Sequence, residues 1–131
     1  MRLLLDTHIW VWSQLEPDRL SSSVRAALQN PEVELWLSPI SVWELLLLIE
    51  GHRVTVTGEP GAWVEDALRA GPFREAPLTH AVALESRRVT LPHRDPADRF
   101  LAATARVLDL TLVTADARLL AAKLCKVLAN R

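Results

Sequence analysis

Four acidic residues in this sequence, Asp6, Glu44, Asp98 and Asp116, each follow a predicted strand or begin the helix that comes after it. If they share one pocket they cannot all stay ionised without compensation, because like charges at close range raise carboxylate pKa values. A hard divalent cation supplies that compensation, and Mg²⁺ favours all-oxygen ligation with some waters retained. One or two such ions could polarise a phosphodiester and lower the pKa of an attacking water. The acidic set therefore predicts metal-dependent phosphodiester hydrolysis.

Asp6 and Asp116 stand in matching surroundings. Residues 2–5 (Arg-Leu-Leu-Leu) and 110–114 (Leu-Thr-Leu-Val-Thr) are typical of short strands buried on both faces, and a helical segment follows each. The carboxyl ends of parallel strands meet at one edge of the sheet, where ligands bind in α/β proteins. Taken singly, either aspartate could instead be the N-cap of the helix that follows, and this alternative stays open for both.

Glu44 lies in a helical segment that is apolar nearly all round, with Leu at positions 45–48 and Ile at 49. An ionised carboxylate there is unfavourable unless it is paired or bound to a cation. The alternative is simple exposure at the first turn of the helix.

Asp95 and Asp98 require separate interpretations. Asp95 precedes Pro96, and a helix that begins with proline commonly takes aspartate as its N-cap, so capping is the preferred role for Asp95. Asp98 shares a helix face with Leu101 and Ala102, at steps of three and four, and that face should lie on the sheet. Asp98 is therefore predicted to point inward, although an acid favoured by the helix dipole is the simpler account.

The elements that must position these residues alternate between strand and helix. This alternation predicts an α/β fold in one domain, residues 1–131, with a parallel central sheet of four to five strands and helices on both faces. Predicted strands cover 2–5, 34–38, 73–78 (strand or extended link), 110–114 and 124–128, and residues 53–57 alternate like a strand. Predicted helices cover 7–15, 24–29, a segment capped by Ser41 that ends at Glu50, 63–70, 80–87, 96–108 and 116–123.

Composition narrows the class of protein. Half of the 131 residues are hydrophobic and the net charge is −1, so the chain is globular and lacks the overall basic charge of many nucleic-acid binders. A nucleic-acid partner would have to be held by a local patch or through a metal. No apolar run approaches the roughly 18 residues of a membrane span. The single cysteine, Cys125, fits a reducing compartment, so we expect a cytoplasmic protein.

The order of the motifs resembles the PIN domain, specifically the ribonuclease toxins of VapC type. The matching segments are Leu-Leu-Leu-Asp-Thr-His (3–8), Ser-Pro-Ile-Ser-Val-Trp-Glu (38–44), Leu-Pro-His-Arg-Asp-Pro-Ala-Asp-Arg-Phe-Leu-Ala-Ala-Thr-Ala (91–105) and Leu-Thr-Leu-Val-Thr-Ala-Asp (110–116). Each is weak alone, but their order and spacing across the chain are specific. The helix after Glu44 departs from the usual pattern, because four leucines and an isoleucine replace a more mixed composition.

The resemblance implies a PIN-like three-layer architecture and cleavage of RNA with Mg²⁺ or Mn²⁺. It also implies a homodimer and inhibition by a cognate antitoxin. It places the catalytic and metal-binding roles on the four acids already identified, with Thr7 and Thr114 as supporting polar residues. Three alternatives remain: a PIN-like RNA- or protein-binding module without catalysis, a receiver-type phosphotransfer domain, and a dehalogenase-like phosphatase. The last two fit less well, because Lys123 is poorly placed for a receiver and His8 replaces the second acid of the phosphatase.

Basic and aromatic residues indicate possible contacts with RNA or an antitoxin. The basic candidates near the turn before the Pro96 helix are Arg87, Arg88, His93, Arg94 and Arg99, with a solvated loop as the alternative. Trp10 and Trp12 lie two apart on one helix and must face different directions, so at least one should be available to a partner. We expect Trp36 and Trp43 to pack in the core.

Overall fold

A five-stranded parallel sheet forms the centre of the molecule in the computed structural model, which describes residues 1–91 and 95–131. Its strands are β1 (Arg2–Leu5), β2 (Glu34–Leu37), β3 (Phe73–Glu75), β4 (Thr111–Thr114) and β5 (Val127–Ala129). They lie in the order β3-β2-β1-β4-β5, and every neighbouring pair is parallel. The predicted parallel sheet is confirmed, with the larger of the two expected strand numbers.

Helices follow the strands along the chain. Within the described ranges they are α1 (Thr7–Leu15), α2 (Ser22–Gln29), α3 (Pro39–Glu50), α4 (Pro60–Arg69), α5 (His80–Ser86), α6 (Pro96–Leu108) and α7 (Ala117–Ala122), with a short 3-10 turn at Pro17–Arg19. None of the helices in these ranges is both long and apolar enough to cross a membrane.

Alternate leucines of β1 divide the core into two layers. Leu3 and Leu5 pack with buried residues from helices α1 to α4, whereas Leu4 packs with buried residues from α5, α6 and α7. Successive side chains of a strand point to opposite faces of the sheet, so this central strand must be apolar on both sides. The uninterrupted leucine run therefore has a direct structural cause, and helices cover both faces as predicted.

The sheet has a topological switch point between β1 and β4. From β1 the chain builds outward through β2 to β3, then returns to place β4 on the other side of β1. Leu5 lies opposite Val113, and the Asp6 amide donates to the Val113 carbonyl at 3.0 Å. A crevice opens where connections leave the carboxyl ends of such strands in opposite directions, and ligands commonly bind there. Asp6 lies at this point.

Several local predictions were wrong. Helix α3 begins at Pro39, and its cap is Ser38, whose Oγ accepts from the Ile40 amide, whereas the predicted cap, Ser41, is buried. Proline at the first helical position should have indicated this start. Residues 53–57 form no strand. Trp43 was expected in the core, but about half of it (49%) is exposed.

The other tryptophans divide as follows. Trp10 is fully buried, whereas Trp12 is partly exposed, with the Arg19 guanidinium 4.3 Å from its ring centre. The two do face different directions, as predicted. Trp36 is partly buried, and the guanidinium of Arg2 lies over its ring.

Candidate active site

A cleft of about 410 Å³ opens at the carboxyl edge of the sheet, beside the ends of β1 and β4. All four of the acids singled out in the sequence lie on its wall, together with a fifth acid, Asp95. Within the described ranges, the cleft is lined by Asp6, His8, Trp12, Glu44, Arg53, Asp95, Asp98, Ala115, Asp116 and Arg118. The four carboxylates therefore do lie around one cleft at this edge of the sheet, as predicted. Their catalytic role stays a prediction.

Asp6 is held by Thr114 rather than used as a helix cap. Its carboxylate Oδ2 accepts from the Thr114 hydroxyl at 2.6 Å, and its side chain makes no capping hydrogen bond to α1. Thr114 is itself fully buried, and its Oγ1 also accepts from the Asp116 amide at 3.0 Å. One threonine hydroxyl therefore joins the ends of β1 and β4 and fixes the orientation of the Asp6 carboxylate.

Glu44 projects from the second turn of α3 and is partly buried. Thr7 Oγ1 donates a hydrogen bond to Ser41 Oγ at 3.0 Å, and the Thr7 side chain also acts to lower the pKa of Glu44. Thr7 and Ser41 are both fully buried. Ser41 therefore orients Thr7, which interacts with Glu44, and the sequence reasoning missed this role of Ser41.

The remaining acids begin helices. Asp95 caps α6, accepting from the Ala97 amide at 3.0 Å, as predicted, although it also faces the cleft. Asp98 is only 6% exposed, so it points inward as its helical spacing indicated. Asp116 caps α7 through the Arg118 amide at 2.8 Å, and the Arg118 guanidinium also contacts its carboxylate. Asp116 therefore caps α7, as the alternative interpretation had it, and also lies on the cleft wall.

Burial sets the electrostatics of two of the cleft acids, Asp6 and Glu44. It raises the pKa of Asp6, although the Thr114 hydrogen bond and the nearby His8 oppose the shift. Burial also raises the pKa of Glu44 against the Thr7 hydrogen bond, and the charges of Asp6 and Asp95 raise it further. Partial burial would raise the pKa of Asp116 as well, but its hydrogen bonds and ion pair with Arg118 lower it overall. In the protein without a bound cation, it is therefore unfavourable for Asp6 and Glu44 to be ionised at the same time.

We expect the free energy of unfolding, measured in EDTA, to carry a penalty from Asp6 that grows with pH. A folded-state pKa raised above the unfolded value of 3.8 means that the native state holds a proton the unfolded state has lost. Stability from this group is therefore complete below that value and is lost as pH rises through the folded pKa. Urea unfolding of wild type and Asp6→Asn across pH 4 to 8 isolates the effect. A stability difference between the two proteins that does not change with pH would contradict it.

The donor set suits a hard divalent cation. The five acids that line the cleft offer carboxylate oxygens, the ligand type preferred by Mg²⁺ and Mn²⁺. Within residues 1–91 and 95–131, no three histidine, cysteine or acidic side chains already form a compact metal-binding group. Asp116 in particular is directed to Arg118. These residues are chemically suited to bind a divalent cation. Their side chains would have to move closer together to do so.

Among the described residues, the arginines that line the cleft are Arg53 and Arg118, neither of which was identified from the sequence. Arg88 pairs with Glu85 at 3.3 Å, and Arg99 donates to the Val89 carbonyl at 2.8 Å. Arg87 is exposed. None of these three predicted contacts lies on the described cleft wall, and the predicted His93 and Arg94 lie outside the described residues.

Comparisons with known proteins agree with this architecture. The sequence matches the PIN domain family over residues 3–124. Ribonuclease VapC22 of Mycobacterium tuberculosis is 36% identical over 120 residues, which are 89% of this chain and 88% of that protein.

Solved structures give the same result for the fold. VapBC2 from Rickettsia felis, bound to a DNA fragment from its promoter, superposes with a TM-score of 0.73 over 98% of each chain at 16% identity, a likeness of fold alone. FitAcB from Neisseria gonorrhoeae superposes with a TM-score of 0.68 at 26% identity, covering 98% of this chain and 97% of that one. Matched over nearly its whole length, the chain belongs to the PIN domain family, with VapC-type proteins among its relatives.

Proposed function

We propose that this chain is an endoribonuclease that depends on Mg²⁺ or Mn²⁺ and acts as the toxin of a toxin–antitoxin pair. The supporting observation is that Asp6, Glu44, Asp98 and Asp116 all line one cleft at the switch point of the sheet. Similarity to a ribonuclease at 36% identity supports RNA as the substrate.

The four acids would hold the divalent cation, which when bound polarises the phosphodiester and activates a water. Thr114 keeps the Asp6 carboxylate in a fixed orientation, because its hydroxyl donates to Oδ2. Glu44 lies on the same cleft wall, where its carboxylate would complete the set of oxygen ligands. Arg53 adds positive charge to the wall, and the His8 ring offers a hydrogen-bonding nitrogen there, so both could contact a phosphate.

A cleavage assay with Mg²⁺, Mn²⁺ and EDTA tests the proposal. The purified chain should cut a mixture of structured and single-stranded RNAs with either ion, and EDTA should stop the reaction. Cleavage that survives EDTA would contradict the metal requirement. RNA binding without cleavage under any ion would instead favour the alternative of a catalytically silent binding module.

The paired acids of α6 should respond differently to substitution. Asp95→Asn should leave cleavage within a few-fold of wild type, because asparagine caps a helix nearly as well as aspartate. Asp98→Asn should reduce cleavage by at least about 100-fold, comparable to losing one preorganised electrostatic group in an active site. Initial rates at saturating Mn²⁺ make the comparison. Equal losses in the two variants would assign Asp95, which also lines the cleft, to the metal-binding set.

The proposal extends to partners, domain organisation and location. Antitoxin binding is supported by the VapBC complexes with which the fold superposes, and a homodimer by exposed apolar side chains on α3, Trp43 and Leu47. Light scattering would measure twice the 14.6 kDa chain mass for such a dimer.

The central sheet contains strands from both ends of the sequence, which supports a single nuclease domain. An enzyme acting on cellular RNA would work in the cytoplasm.

A further inference from the structure

We propose that Arg118 is an internal counter-cation of the cleft, which competes with the divalent metal for the Asp116 carboxylate. The inference rests on the proposed function, because it assigns a regulating contact to the same acidic site. In this account Arg118 sets the cation concentration at which the site fills.

The contact is made by both oxygens of Asp116. Oδ2 accepts from Arg118 Nη2 at 3.1 Å, while Oδ1 accepts from the Arg118 amide at 2.8 Å and lies 3.4 Å from Nε. A guanidinium that meets a carboxylate with two N–H groups fixes its orientation as well as neutralising its charge. The Asp116 carboxylate is therefore held by both the amide and the guanidinium of Arg118.

The local sequence produces this arrangement. Asp116 is the N-cap of α7, and Arg118 is the second residue of that helix, so the capping amide and the guanidinium belong to the same residue. The side chain of Arg118 lines the same cleft as Asp95 and Asp98. These acids and Asp116 all favour the charged form of Arg118 and raise its pKa. The guanidinium thus faces several negative charges and not one surface partner.

A metal ion and Arg118 would both bind the carboxylate of Asp116. A cation bound to Asp116 takes a lone pair of the carboxylate and adds positive charge within a few ångströms of the guanidinium. The two positive charges repel each other, which weakens both contacts, and the exposed Arg118, at 56% of its side-chain surface, is free to move into solvent. Capping by Oδ1 can persist, because it uses the backbone amide.

Titration of Mn²⁺ into the metal-free full-length chain by calorimetry tests the competition. Arg118→Met removes the charge and keeps most of the apolar stem, so its Mn²⁺ dissociation constant should fall about three- to fivefold below wild type, a modest change because solvent screens an ion pair at a partly exposed site. Arg118→Lys keeps the charge without the fork and should give an intermediate value.

Arg69→Met is the matched control. Arg69 also pairs with an aspartate, Asp66 at 2.7 Å, but it is exposed on α4 and is absent from the cleft wall. Its substitution should leave Mn²⁺ affinity at the wild-type value. In thermal unfolding, the increase in midpoint caused by Mn²⁺ should be larger for Arg118→Met than for wild type or the control, because ligand stabilisation grows with affinity.

The outcomes separate this inference from the proposed function. Wild-type Mn²⁺ binding that is lost in Asp6→Asn supports the metal site, and tighter binding in Arg118→Met then supports the competition. Unchanged or weaker binding in Arg118→Met, with wild type still binding, overturns the role of Arg118 and leaves the nuclease proposal intact. If wild type neither binds Mn²⁺ nor cleaves RNA, both proposals fail.

Discussion

Asp6→Asn should abolish metal-dependent RNA cleavage, with a loss of at least about 100-fold, while the fold stays intact. Asp6 lies at the switch point of the sheet and is only 7% exposed, so its charge acts where water screens it little. Asparagine keeps the size of the side chain and can still accept from Thr114 through its carbonyl oxygen, but it removes one of the charges that would bind the cation. Cleavage rates at saturating Mn²⁺ measure the effect.

Thermal unfolding in EDTA supplies the control for Asp6→Asn. Because burial raises the pKa of Asp6, removing the charge should leave the midpoint unchanged or raise it at neutral pH. A low cleavage rate therefore cannot be attributed to unfolding unless the midpoint falls. An Asp6→Asn protein that cleaves at the wild-type rate would show that Asp6 has only a structural role.

Thr114→Val should weaken cleavage by about 10- to 100-fold, the range expected when a group that orients a metal ligand is removed. Valine matches the shape of threonine, but it can neither donate to Asp6 Oδ2 nor accept from the Asp116 amide. Both groups lose a partner in a buried setting, so we also expect the free energy of unfolding to fall by about 1–3 kcal/mol. Cleavage assays and urea unfolding at neutral pH measure the two effects.

Thr104→Val is the matched control for Thr114→Val. Thr104 is equally buried, and its hydroxyl donates at 2.6 Å to the Phe100 carbonyl within α6. Substitution there also deletes one buried hydroxyl, but it touches none of the cleft acids. Cleavage should stay near the wild-type rate. If the two valine variants lose activity equally, Thr114 acts through general stability and not through Asp6.

The fold was predictable from the sequence to the extent that local pattern reflects burial. The leucine run of β1 predicted a strand covered on both faces, and that is what it forms. Residues 53–57 misled because β-branched alternation favours a strand only where a neighbouring edge can pair with it. Trp43 misled because α3 is apolar even on its solvent side, so periodicity could not tell which residue faced outward.

The candidate site was predictable as a set of acids but not as a network. Strand ends and helix starts placed Asp6, Glu44, Asp98 and Asp116 at one edge, since parallel strands share a direction. Of the polar residues around them, Thr7 and Thr114 were predicted only through the family resemblance, and Ser41 was not predicted at all. The Thr7–Ser41 hydrogen bond spans 34 positions, and short polar side chains of this kind are as common at surfaces and caps as in sites. Arg118 did have a local signal, because it stands two residues after a capping aspartate.

The Thr114–Asp6 hydrogen bond spans 108 positions, so the cleft is assembled from opposite ends of the chain. A ribosome adding about 5–20 residues per second needs roughly 5–20 s to travel between these two residues. During that interval the nascent chain has Asp6 and Glu44 but lacks β4, the strand that places Thr114 and Asp116 beside them. The cleft on which the proposed nuclease activity depends is therefore assembled only after β4 has been synthesised.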